Sequence, residues 1–304
     1  MSTAAIILLA LLSALALWYA WRWYRLANQH STAAARMPGA SDTATGFVTN
    51  FFDTLGIGSF APTTAIFKFR QRMPDEQIPG TLNVGHALPT VAQALIFIAA
   101  VDVELPTLLG MIGAAVLGAW LGVGVVARLP RRAIQIGMGG ALLLAALLFL
   151  AKNLDWMPGG GNALGLDGAR LAFAIAMSFL LGALMMLGVG LYAPCLILVC
   201  LLGMNPLAAF PIMMGSCAFL MPVGGARFLR SRRYDLRSAL GLTLGGIPGV
   251  LVAAYIVKSL PIAWIRWLVL VIVVYAALQM LLSAWRERNA TRGKAVADSQ
   301  LTGE

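Results

Sequence analysis

Two ionisable side chains, Asp53 and His86, fall well inside long apolar stretches of this chain. Carrying an Asp to the centre of a membrane helix costs about 2.5–3.5 kcal/mol on insertion scales, so such a residue points to function. His86 titrates near neutral pH and suits a coupling proton, with a hydrogen bond to a neighbouring helix as its structural alternative. Asp53 would repel an anion unless protonated or paired, which suits it to proton coupling or to capping a loop. Asp53 also opens the stretch DTLGIGSFAP, and Met186–Pro194 reads MLGVGLYAP. The cores LGIGSFAP and LGVGLYAP share Leu, Gly, Gly, Ala and Pro in register. Gly56, Gly58, Gly188 and Gly190 leave backbone N–H groups open to a ligand, and a following helix N-terminus adds partial positive charge. Such a pair of tips can hold a small anion without any arginine. Glycines alone could equally serve close helix packing; the matched proline in both copies favours a site.

Neutral donors accompany the tips. Ser59, Thr63 and Thr64 follow the first, Tyr192 follows the second, and Asn83 and Ser216 lie on the helices after them. Ser and Thr in membrane helices often bond their own backbone instead. Gln93 reads as a helix–helix hydrogen bond. Cys195, Cys200 and Cys217 show no pairing framework and read as small core residues, although Cys195 or Cys217 would be the nucleophile of a membrane-embedded sulfur enzyme. No nucleotide loop, GxSxG, HExxH or metal-spaced cluster is present, so the expectation is no cofactor, no metal and no catalytic residue.

Apolar segments must position these groups. Of 304 residues, 60% are hydrophobic and 11% charged, against about a quarter charged in soluble domains. Non-alternating apolar runs such as Leu105–Val126 and Ile262–Ser283 reach the roughly 20 residues that cross a bilayer. The fold class is therefore an all-α polytopic membrane protein rather than a barrel. The net charge of +10 comes from arginines clustered at the ends of apolar runs, which is topology rather than nucleic-acid binding. Tyr234 and its neighbouring arginines fit that role, with anionic lipid contact second. Ala4–Ala20 lacks a preceding positive charge and is followed by Arg22 and Arg25, which reads as an uncleaved anchor helix with a cytoplasmic end.

The opening resemblance extends along the chain. At an offset of 132, Gly56, Gly58 and Pro62 meet Gly188, Gly190 and Pro194; with one more residue Leu88-Pro89 meets Met221-Pro222, and at 131 Gly118 meets Gly249 and Leu129-Pro130 meets Leu260-Pro261. The chain divides into an anchor helix and linker (1–45), a first repeat (46–151), an outer connecting loop (152–170), a second repeat (171–285) and a basic cytoplasmic tail (286–304). Lys68, Arg70 and Arg72 mark a cytoplasmic loop, as do Arg128, Arg131 and Arg132, with Asp102–Glu104 outside between them. The strongest basic cluster, Arg227–Arg237, aligns with that acidic turn, so the repeats have inverted topology. Gly46–Phe67 and Leu171–Leu202 must then each start and end on one side, as re-entrant or broken helices. Paired interruptions in inverted halves point to a transporter's midplane site.

DTLGIGSFAPTT (Asp53–Thr64), GTLNVGHALPT (Gly80–Thr90) and LGVGLYAPC (Leu187–Cys195) resemble the TauE/SafE family, with GIGSF and GVGLY where many members carry GxGGG. The resemblance covers Gly46 to Trp285. It implies a secondary transporter of the bacterial plasma (inner) membrane that exports a small sulfur-containing anion such as sulfite or an organosulfonate, with lipids as its surroundings. A passive anion channel through the same cavity is the alternative within transport.

Overall fold

The computed structural model describes residues 3–30, 37–126, 128–154, 156, 161–188 and 190–256, with isolated positions 274, 278, 281, 282 and 285. Apart from those positions, the span expected at Ile262–Ser283 lies outside the described residues. So do Lys258, Leu260-Pro261, Arg266 and the tail 286–304. Lipid offers no partner for backbone N–H and C=O groups, so apolar segments satisfy them within helices. The helices are α1 (Thr3–His30), α2 (Ala40–Thr54), α3 (Phe60–Phe69), α4 (Ile78–Gly85), α5 (Ala87–Ala100), α6 (Leu105–Val126), α7 (Arg131–Asn153), α8 (Gly168–Met185), α9 (Tyr192–Leu201), α10 (Ala209–Ser231) and α11 (Leu236–Ile256). Six stretches are long and apolar enough to cross a membrane. Among the described residues no strand forms, only an isolated bridge between Ala163 and Met204. The protein is a polytopic α-helical membrane protein.

Helix boundaries recur along the chain. Phe60 plus 132 is Tyr192 and Phe69 plus 132 is Leu201, so α3 and α9 superpose end to end. Ile78 and Ala100, plus 131, give Ala209 and Ser231, so α4 with α5 matches α10, and Leu105 plus 131 gives Leu236 at the start of α11. Packing recurs in the same register. α2 packs on α11 and α8 on α6. A methyl added to Gly249 would overlap the Phe47 carbonyl, and one added to Gly118 would overlap the Phe179 carbonyl. These are matched pairs, since 249 less 131 is 118 and 47 plus 132 is 179.

Both glycine-broken segments are hairpins. Arg72, beyond α3, forms a two-point ion pair with Asp42 at the start of α2, with N···O distances of 3.0 and 2.5 Å. In the second copy, Gly161 donates to the Met204 carbonyl and Asn205 to that of Ala163, 2.9 and 2.8 Å. Those bonds tie the exit of α9 to the approach to α8, so α8 does not leave the chain on the far side. The hairpins open at opposite ends of the α4–α5 rod. Gly80 abuts Arg233 at the basic end, while Glu104, just beyond Ala100, donates its N–H to Leu164 near the second hairpin's mouth, 3.0 Å.

α2 starts at Ala40, six residues before the expected repeat boundary at Gly46, and the stretch expected as linker is its first turns. Ser, Asp and Thr hide the helix from an apolar pattern. Within it, however, Asp42 is paired and the Thr45 and Thr49 hydroxyls return to the carbonyls of Ser41 and Thr45, each at 2.8 Å. The α4–α5 rod bends at His86. Pro89 has no N–H for the Gly85 carbonyl, and the Thr243 hydroxyl of α11 takes that carbonyl instead at 2.6 Å.

Gly118→Ala and Gly249→Ala should each destabilise by about 1–3 kcal/mol, the usual cost of overpacking. Gly113→Ala, where an added methyl meets nothing within 4 Å, serves as control. Thermal unfolding in detergent should show lower Tm for the first two only; all three behaving alike would contradict the packing described.

Candidate functional site

Each tip is built by its glycines. Gly56 (φ +82°), Gly58 (φ +90°) and Gly188 (φ +92°) occupy left-handed conformations that a Cβ disfavours. They close the preceding helices in the same way: Gly56 donates to the Asp53 carbonyl at 2.8 Å and Gly188 to that of Met185 at 2.9 Å. The two tips touch reciprocally. A methyl on Gly58 would meet the Cβ of Tyr192 at 3.8 Å, and a methyl on Gly190 would meet the Cβ of Phe60 at 3.8 Å.

Between the tips lies a cavity of about 10 Å³, with Asp53, Gly58, Ser59 and Thr90 on one side and Met185, Gly190, Leu191, Tyr192, Cys217 and Met221 on the other. That volume is about what one water needs. Among the described residues, no Lys or Arg lines it. Asp53 ends α2 and is 2% exposed. Gln93 of α5 donates from Nε2 to Asp53 Oδ2 at 2.8 Å and to Thr54 Oγ1 at 3.1 Å. Tyr192 of α9 donates its hydroxyl to Gln93 Oε1 at 2.5 Å. The Ser59 hydroxyl and N–H lie beside the same carboxylate, and Ser59 is the N-cap residue of α3. Asp53 therefore takes up the positive N-terminus of α3. At the matching place before α9 stands Met185 (53 plus 132), which brings no charge.

Of the residues expected to bind, the cavity unites Asp53, Gly58, Ser59, Gly190 and Tyr192. Gly56 and Gly188 shape the turns behind it. Thr63, Asn83, Ser216 and His86 are buried but lie outside its lining. His86 places Nδ1 at 3.0 Å from Asn50 Nδ2 and 3.2 Å from its Oδ1, and Nε2 at 3.1 Å from Thr63 Oγ1. Its ring is tilted against Phe60, centroids 5.9 Å apart. Both ring nitrogens are thus partnered within protein. Asn83 donates to the carbonyls of Pro79 and Met185, at 2.9 and 3.3 Å, which fastens α4 to the second tip. Thr64 Oγ1 and Asn83 Oδ1 are buried without a hydrogen-bond partner.

Cys217 lines the cavity and donates to the Met185 sulfur at 3.5 Å; Cys195 is buried elsewhere. Among the described residues, no group of three or more His, Cys, Asp or Glu could hold a metal. Thr90 and Gln93 are the site residues that the sequence reading left out of the pocket. Their signal was present: 86, 90 and 93 follow helical i, i+4, i+7 spacing, which puts three polar side chains on one stripe of an apolar helix.

A family profile described as sulfite exporter TauE/SafE matches residues 2–149 and 170–302. No curated protein and no solved structure matches.

Replacing His86 by Leu should strand Asn50 and Thr63 and lower stability by about 1–3 kcal/mol, the cost of unsatisfied buried polar groups. Thermal unfolding reads this directly. An unchanged Tm would mean that the observed bonds to His86 do not form.

Proposed function

Because the chain belongs to the sulfite exporter TauE/SafE family, a family of membrane transporters and not enzymes, we propose that it carries a small sulfur-containing anion out of a bacterial cell across the plasma membrane. The basic end, with Arg70, Arg72, Arg230, Arg232, Arg233 and Arg237, faces the cytoplasm on the positive-inside rule. The two halves act as inverted repeats, 46–151 and 171–285, and the substrate lies between their tips. One observation carries this reading: two helix breaks, opening at opposite ends, meet at Gly58 and Gly190 around a small cavity where Asp53, Ser59, Thr90 and Tyr192 stand among apolar side chains. Irregular backbone at membrane depth is stable only where protein or an aqueous cavity covers it.

The tips are not equivalent toward an anion. The N-terminus of α3 is already occupied by Asp53, whereas α9 presents Gly190, Leu191 and Tyr192 to the cavity with Met185 before it. The anion sits at the α9 side, held by backbone N–H groups and the Ser59 hydroxyl. An ionised Asp53 across a cavity this small would repel it, so Asp53 takes a proton as the anion enters. Proton and anion then share the site, and export follows when the internal anion concentration outweighs the inward proton gradient.

In proteoliposomes, sulfite flux should saturate and rise as pH falls, by at most about tenfold per pH unit for one proton. Asp53→Asn keeps an acceptor for Gln93 and removes the titration, so its flux should be nearly independent of pH. A variant with the parent's pH profile would remove Asp53 from coupling. Methanesulfonate should compete with sulfite; failure of every sulfur oxyanion to compete would remove the substrate class.

A further inference from the structure

We infer that Gln93 is a positioning residue, a clasp that holds the two hairpins together and lets the charge state of Asp53 decide which of them is released. The inference rests on the transport reading above and adds to it the group that keeps the site shut.

The orientation of the Gln93 amide is fixed by its neighbours. The Thr54 hydroxyl donates to the Asn50 carbonyl at 2.8 Å, so toward Gln93 it can only accept. The Asp53 carboxylate also accepts. Both therefore require the NH₂ group, and the amide oxygen is left facing the second hairpin, where the Tyr192 hydroxyl donates to it. The Tyr192 hydroxyl has one proton, which Gln93 Oε1 accepts here and for which the neighbouring Asp53 carboxylate is the competing acceptor. Gln93 is fully buried. Among the described residues, the Tyr192 hydroxyl also lies beside the Asp53 carboxylate and Thr90, while the contacts of Gly58 with Tyr192 and of Gly190 with Phe60 are apolar.

The second half carries none of this apparatus. Asp53, Thr54 and Phe60, plus 132, become Met185, Met186 and Tyr192, and Gln93 falls on Gly224, Gly225 or Ala226 at any offset from 131 to 133. Where Gln93 meets Thr54 in the first half, a methyl on Gly224 would meet the sulfur of Met186 at 2.5 Å. A thioether fills the volume that the amide uses. The polar residues thus occur as a complete set in one half and are missing as a set in the other, as expected of one device.

A cavity with room for one water must widen to admit an anion, and the tips cannot part while Gln93 bonds both. A hydrogen bond to an ionised group is roughly twice as strong as a neutral one. With Asp53 ionised, Gln93 stays with the first hairpin and gives up Tyr192; with Asp53 protonated, the two bonds are comparable and the first hairpin can leave. The titratable groups facing Gln93 and Asp53 are Tyr192 from α9 and Cys217 from α10, with no Lys or Arg among them. His86 bonds Asn50 and Thr63 instead.

Gln93→Glu tests the device. Two adjacent carboxylates share one proton and hold it to higher pH than either would alone, and once it is lost no donor remains to bond Asp53. The pH profile of sulfite flux in this variant should move by at least one pH unit from the parent's; an unshifted or uniformly scaled profile would overturn the inference. A cycle of Gln93→Met, Tyr192→Phe and the double variant, read by Tm without ligand, tests the clasp itself. The double variant should lose less than the sum of the two single losses, because both single variants remove the Gln93–Tyr192 bond; losses that sum would overturn the inference. If Gln93→Met does not fold, the Glu variant still decides. Absence of saturable sulfite flux in the parent would sink the transport reading, and the Tm cycle would still decide the clasp.

Discussion

A helix interrupted inside a bilayer leaves backbone groups that hydrocarbon cannot satisfy, and everything else in this protein follows from covering two such interruptions. The helix that begins each hairpin packs on a long helix from the other part of the chain, α2 on α11 and α8 on α6. Glycines make that possible. At Gly118, Gly182, Gly245 and Gly249 an added methyl would overlap backbone of the neighbouring helix, so the helices approach as closely as small residues allow in membranes. The exchange brings two tips together that neither half could shelter alone.

The same geometry lets the two tips specialise. Reciprocal contacts between Gly58 and Tyr192 and between Gly190 and Phe60 preserve the symmetry of the backbone, whereas the side chains break it. The lining residues before α6 include Asp53, Ser59 and Thr90, with Gln93 bonded to Asp53 behind them, whereas those after α7 are Met185, Gly190, Leu191, Tyr192, Cys217 and Met221. A buried carboxylate beside one helix N-terminus leaves the other without a charged partner, which is the asymmetry that the proposed proton and anion roles use. Polar networks in a medium of low dielectric are strong when fully satisfied, which suits a gate that must be closed firmly and opened by one change of charge.

Much of this was legible in the sequence. The duplicated Gly-x-Gly and Pro located both helix breaks; the sidedness read from Lys68, Arg70 and Arg72 and from Arg227–Arg237 is the part that the proposed transport reading carries forward. Asp53 and Tyr192 stood out beside the breaks. The pairing of Asp42 with Arg72 was not legible, because contacts thirty residues apart leave no local pattern. For the same reason α2 was started at Gly46. His86 was weighed as a proton carrier on its type alone, and only tertiary structure reveals Asn50 and Thr63 on its two nitrogens. Gln93 needed the opposite correction. A neutral amide in an apolar helix signals a hydrogen bond but not which elements it joins, and its spacing from His86 and Thr90 would have placed it.

The central claim is that the tips of two opposed hairpins meet at the site and must part for transport. Phe60→Cys with Gly190→Cys, in a chain whose Cys195, Cys200 and Cys217 are replaced, tests it most directly. A Cβ built on Gly190 lies 3.8 Å from that of Phe60, within the 3.5–4.5 Å that a disulfide spans. Mild oxidation should link the pair within one molecule and stop sulfite flux, and reduction should restore it. Failure to form the bond, or undiminished flux through the linked protein, would contradict the account.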